Sequence, residues 1–96
     1  MRNMAKWESE RSRKFWTDVA ERLKSTRHLL GISEDEAAAA MLVTLKTYRK
    51  WERAERHRDN VMGVLAFCEK YGVSYGWLFA GPDYAPPPRF RLRLVG

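Results

Sequence analysis

Apolar residues recur every three or four positions through most of this chain, which is the spacing of an amphipathic helix. One apolar stripe ends at Leu30, and Gly31 follows where a left-handed helix C-cap is expected. Thr17 is a candidate N-cap for the same helix. We therefore predict a helical domain over residues 17–81, preceded by an N-terminal extension, residues 1–16.

The N-terminal extension has its own helical pattern, because Met4, Trp7, Arg11 and Phe15 recur at spacings of three and four. Three interpretations are open. The extension packs over the domain through its aromatic residues, forms a dimerising helix, or lies on phosphate as a basic arm. The sequence does not choose among them.

Residues 33–53 predict two short helices joined by a tight turn. Ser33 and Glu36 have the spacing of a capping box, in which each side chain accepts a hydrogen bond from the backbone amide of the other residue. Thr44 is positioned to cap the second helix. The first helix is rich in alanine, so it can pack closely against a neighbour.

The second of these helices has an inner and an outer face. Thr44, Tyr48 and Trp51 follow one another at helical spacing and are predicted to point inward. The outer face then carries Leu45, Lys46, Arg49 and Lys50. A short, supported helix with such a basic face has the form of a helix that enters the DNA major groove.

Two further helices are predicted beyond residue 60. The inward stripe of the first consists of Val61, Val64, Leu65, Cys68 and Tyr71. Ser74 begins the second, which buries Trp77 and Leu78 and ends at Gly81. The predicted fold class is therefore all-α, with five helices in the domain.

Residues 82–96 combine a proline-rich spacer with a basic and apolar tail. In the tail, apolar Phe90, Leu92 and Leu94 alternate with arginines, which is the period of a β-strand. A lone strand needs a partner, so these three residues are candidates for dimerisation with a second copy. A disordered basic tail is the alternative.

The charge distribution changes this picture by indicating a polyanionic partner. The net charge is +6, and residues 44–58 hold six Lys or Arg against two Glu. Nucleic acid is the default partner for such a surface.

Cys68 is the only cysteine, which excludes an internal disulfide and fits a reducing cytoplasm. The longest apolar run, residues 37–43, is too short to span a bilayer, and no secretory signal is evident. We expect a cytoplasmic, nucleoid-associated protein.

An ordered set of residues carries a family resemblance: Gly31-Ile32-Ser33, Glu36, Ala38, Met41, Val43-Thr44, Thr47 and Trp51-Glu52-Arg53. With these residues the chain resembles the Cro/CI-type helix-turn-helix domain of phage repressors and their bacterial relatives, the XRE family. The likeness covers residues 19–81 and implies a five-helix, lambda repressor-like domain that binds double-stranded DNA.

The resemblance also implies roles for individual residues. The residues expected to contact base edges are Leu45, Lys46, Arg49 and Lys50. Those expected to hold phosphates are Thr47, Arg53, Arg56 and Arg58. Arg27, a cation on an otherwise apolar stripe, is expected to pair with Glu52 and so tie the first helix to the recognition helix.

Four positions depart from the family pattern. Glu34 stands where glutamine is usual, and Leu45 is apolar where a polar base-reading residue is common. Leu42 and Ala54 replace glycines of the turn and of the helix end. These departures leave room for a domain that has kept its fold and changed its role.

The predicted function is a sequence-specific transcriptional regulator that acts as a homodimer on a pseudo-palindromic operator. One alternative is an antitoxin or adaptor, with a toxin or another regulator as its protein partner. Another is a basic protein that associates with the nucleoid or with RNA without sequence preference. We expect no enzymatic activity, no metal and no cofactor, because the two histidines lie on different segments and no phosphate-binding or nucleophile motif is present.

Overall fold

The structure is a computed structural model that describes residues 2–55 and 61–88. Its regular elements there are helices throughout, which confirms the all-α class for these residues. They are α1 (Arg2–Leu30), α2 (Glu34–Met41), α3 (Leu45–Glu52), α4 (Val61–Tyr71) and α5 (Tyr75–Ala80). The predicted C-terminal strand with Phe90, Leu92 and Leu94 lies outside the described residues.

The first helix is much longer than predicted, because α1 runs unbroken through Thr17. The prediction that Thr17 caps a helix is therefore wrong. Residues 2–30 contain neither glycine nor proline, so nothing in the preceding segment stops the helix from extending toward the N-terminus. Gly31 ends α1 as predicted, with φ 68° and with the Ile32 amide donating to the Arg27 carbonyl at 3.2 Å.

Side-chain caps set the starts of three helices. Ser33 and Glu36 form the predicted capping box at α2, with both hydrogen bonds at 3.0 Å. The Thr44 hydroxyl accepts from the Thr47 amide at the start of α3, and Ser74 caps α5. Thr44 is exposed rather than buried, because its side chain turns back to serve the cap. Its assignment to the inner face was wrong.

The core lies where α2 packs against α3 and α4 and where α1 packs against α3 and α5. Its largest fully buried side chains are Trp51, Tyr48, Phe67, Leu23, Met41 and Leu78. On α4, Val64 and Cys68 are buried as predicted, whereas Val61 is exposed. Phe67, which the predicted stripe did not include, is fully buried.

Two polar contacts hold α5 on α1. The Trp77 indole Nε1 donates to the Thr26 hydroxyl at 2.9 Å, and both residues are buried. Arg22 Nε donates to the Leu78 carbonyl, also at 2.9 Å. The first bond satisfies two polar groups in the core, and the second satisfies a carbonyl of the short α5 helix, which has few internal bonds.

Among residues 2–55 and 61–88, left-handed backbone occurs at two residues that are not glycine, and they lie on either side of α3. Leu42 follows α2 with φ 61°, and Ala54 follows the end of α3 with φ 59°. At each place two backbone amides close the preceding helix, as Gly31 and its successor do after α1. The departures from glycine noted in the sequence therefore do fall at left-handed positions. A non-glycine residue in this conformation destabilises the folded state by about 1–2 kcal/mol.

Replacing Ala54 with glycine is expected to stabilise the protein by roughly 0.5–1 kcal/mol. The change relieves the left-handed strain, and the greater flexibility of glycine in the unfolded chain offsets part of the gain. Urea denaturation followed by circular dichroism measures the difference. Gly31→Ala is the matched control and is expected to destabilise. A loss of stability in Ala54→Gly would contradict the prediction.

Candidate nucleic-acid interface

The α2–turn–α3 segment presents one side of α3 to solvent. Exposed cations on or just after α3 are Lys46, Arg49 and Arg53. Half-buried members of the same predicted site are Leu45, Thr47 and Lys50. The remaining two predicted phosphate contacts, Arg56 and Arg58, lie outside the described residues. The folded chain thus leaves Lys46 and Arg49 of α3, and Arg53 just after it, exposed to solvent.

The opposite side of α3 is fixed in the core. Tyr48 is fully buried, and Trp51 is 2% exposed. The ring of Trp51 meets that of Trp16 edge to face, with centroids 6.0 Å apart, and Trp16 also contacts Phe79 in this way at 6.5 Å. Aromatic pairs favour this geometry. The Trp16 ring of α1 therefore supports α3 from behind, and Phe79 of α5 packs against that same ring.

A buried polar network ties α3 to α1. Arg27 Nε donates to Glu52 Oε2 at 2.7 Å and Arg27 Nη2 to Oε1 at 3.4 Å, and the two side chains are only 14% and 8% exposed. The Tyr48 hydroxyl donates to the same carboxylate. Each oxygen of Glu52 therefore has a partner, as a buried carboxylate requires.

The ionisation of this network is fixed by its partners. The hydrogen bond to Glu52 raises the pKa of Arg27. Burial, with the Glu52 hydrogen bond second, raises the pKa of the Tyr48 phenol well above its ordinary value. Tyr48 therefore stays neutral, and Arg27 stays charged, across the physiological pH range.

Two of the exposed arginines are paired with carboxylates of the same chain. Arg49 Nε and Nη2 both donate to Glu34 Oε1 at 3.4 Å, which joins α3 to the first residue of α2. Arg53 Nε donates to Glu55 Oε2 at 3.0 Å. The sequence gave no signal for the first pair, because it depends on how two helices meet and not on spacing along either one.

The lysines of the site are arranged differently. Neither Lys46 nor Lys50 forms an ion pair with any residue in the described part of the chain. The Thr47 hydroxyl accepts from the Thr44 hydroxyl at 3.1 Å and so belongs to the cap of α3. Lys46 is therefore the exposed cation of α3 whose charge is not offset by a described carboxylate.

Burial makes the single thiol of the chain an unsuitable reactive group. Cys68 is 1% exposed, and burial raises the pKa of its thiol to about 11. A thiol in this state is protonated at neutral pH and is a poor nucleophile.

None of the helices in residues 2–55 and 61–88 is both long enough and apolar enough to cross a bilayer. Comparisons with protein-family models, with curated proteins and with solved structures each find no match for this chain.

Proposed function

We propose that this chain is a sequence-specific DNA-binding regulator with a lambda repressor-like helix-turn-helix domain. The observation that carries the proposal is the two-sided environment of α3. One side is held in the core by Tyr48, Trp51 and the Arg27–Glu52 pair, while Lys46 and Arg49 project from the other. A rigidly held helix with exposed cations is suited to the major groove.

The side chains divide the work of recognition according to their chemistry. Lys46, Arg49 and Lys50 carry the donors that match the acceptors of guanine, and Leu45 matches the methyl group of thymine. Thr47 and Arg53, at the two ends of α3, contact phosphate and set the register without reading sequence. Base contacts thus provide specificity, and phosphate contacts provide most of the affinity.

A homodimer completes the proposal. One α3 helix covers only a few base pairs, so two copies related by a two-fold axis would place their helices in successive major grooves about 34 Å apart. The operator would then be pseudo-palindromic. Solution mass measured with and without duplex tests this part separately from DNA binding itself.

Selection of bound sequences from a pool of random duplexes is the direct test of the function. We expect a conserved half-site to emerge, and we expect affinity for it to fall with a log–log salt slope of roughly −0.9 for each phosphate contacted. Recovery of random sequences, or affinity that does not depend on salt, would contradict the proposal.

A charge-matched pair of variants locates the interface. Lys46→Ala is expected to weaken binding to the selected site by about 1–3 kcal/mol and to blur its preference at one position. Lys24→Ala removes the same charge from an exposed residue of α1 and is expected to leave the preference unchanged. Equal effects of the two variants would mean that α3 is not the reading helix.

A further inference from the structure

The ion pair between Glu34 and Arg49 has a geometry that bears on how α3 reads a base. A single oxygen, Glu34 Oε1, accepts from both Nε and Nη2 of Arg49 at 3.4 Å. The arginine side chain is 50% exposed and the glutamate side chain 34%. The carboxylate therefore lies at the side edge of the guanidinium, on a surface that solvent reaches.

A guanidinium has two edges that can make paired hydrogen bonds. One is formed by Nε and Nη2, and the other by Nη1 and Nη2. Since Glu34 occupies the first edge of Arg49, the second is left for another acceptor. Guanine offers two adjacent acceptors, N7 and O6, in the major groove, and an arginine fork fits both at once.

We propose that Glu34 is a positioning residue that holds Arg49 so that its Nη1/Nη2 edge reads one guanine of the duplex. The inference rests on the proposed function and adds to it the base that Arg49 selects. A long side chain loses rotamer freedom when it binds, and a side chain held beforehand loses less. Glu34 thus improves the choice of base by arginine and not the strength of binding to DNA in general.

The negative charge of Glu34 makes the proposal distinguishable from its simplest competitor. A carboxylate near the duplex repels phosphates whatever the sequence, so a purely repulsive Glu34 would lower affinity for all duplexes by the same factor. A positioning Glu34 changes the ratio of affinities at one base pair. Sequence preference, rather than affinity, is therefore the quantity to measure.

The experiment compares the selected operator with versions in which each guanine is changed to adenine, using full-length protein. In wild type one guanine should depend on Arg49, and Arg49→Ala should abolish that preference, roughly 5- to 150-fold. Arg49→Lys should abolish it too, because an ammonium keeps the charge but lacks the fork. Glu34→Ala should reduce the same preference by about two- to fivefold, the range for an exposed pair.

Two controls make the comparison specific to this pair. Asp35→Ala removes a neighbouring exposed carboxylate and should leave the preference for guanine unchanged. In the Arg49→Ala protein, the further change Glu34→Ala should have no effect on preference, since there is no arginine left to hold. Thermal unfolding of each variant verifies that it is folded.

The failures are distinguishable. If Glu34→Ala increases affinity for every duplex equally and the guanine preference is unchanged, Glu34 acts only as a repulsive charge and this inference is overturned, while the proposed function stands. If the wild-type protein selects no sequence, the proposed function and this inference are both overturned.

Discussion

Replacing Glu52 with alanine is expected to lower the free energy of unfolding by about 3–5 kcal/mol. The change strands the guanidinium of Arg27, which is 14% exposed and has Glu52 as its anchor on α3. It also removes the acceptor of the buried Tyr48 hydroxyl. Urea denaturation followed by far-ultraviolet circular dichroism measures the loss.

A rescue variant separates the cost of a stranded charge from the cost of lost packing. Replacing all three polar members of the network, by Arg27→Met, Tyr48→Phe and Glu52→Leu together, leaves no buried charge without a partner. Apolar replacements of buried ion pairs are often neutral or stabilising, so most of the stability should return. If Glu52→Ala stays within about 1 kcal/mol of wild type, water reaches Arg27 and the network is not a buried one.

Replacing Trp51 with alanine is expected to cost about 3–5 kcal/mol as well, through loss of packing and formation of a cavity. Trp51 is 2% exposed and joins α3 to α1 through the Trp16 ring. Chemical denaturation measures the loss. Because α3 is then held less firmly, we also expect affinity for any selected operator to fall by more than stability alone explains.

Trp16→Ala is the control for that contact. Trp16 is half-buried, so its removal should cost less than removal of Trp51 while deleting the same ring pair. Because Trp16→Ala also removes the contact with Phe79, a loss equal to that of Trp51→Ala would mean that the ring contacts of Trp16 stabilise the fold as much as the burial of Trp51 does, which would contradict this ranking.

Local rules were sufficient for the starts of α2, α3 and α5. Ser33, Thr44 and Ser74 each cap the helix that the sequence assigned to them, because a capping hydroxyl and the amide that it serves are two or three residues apart. Thr17 shows the limit of the rule. A good capping residue begins a helix only where the residues before it are not helical. The residues before Thr17 include no glycine or proline and continue the helix.

Contacts between helices were harder to anticipate. Arg27 was conspicuous in the sequence as a cation on an apolar stripe, although its partner came only from the family resemblance. The contact of Arg49 with Glu34 had no such signal, since fifteen positions separate the two residues. Its existence depends on the angle at which α2 meets α3 and on two long side-chain rotamers, neither of which is encoded by periodicity.

The left-handed residues on either side of α3 have a consequence for redesign and for evolution. Altering the outer face of a reading helix to accept a new operator usually destabilises a small domain, and marginal stability then limits how many changes it tolerates. Replacing Leu42 or Ala54 with glycine would relieve left-handed strain and raise the stability of the domain. Both positions lie away from the outer face of α3. Under the proposed function, the stability gained from these two substitutions would allow more changes at Leu45, Lys46 and Arg49 before the domain unfolds.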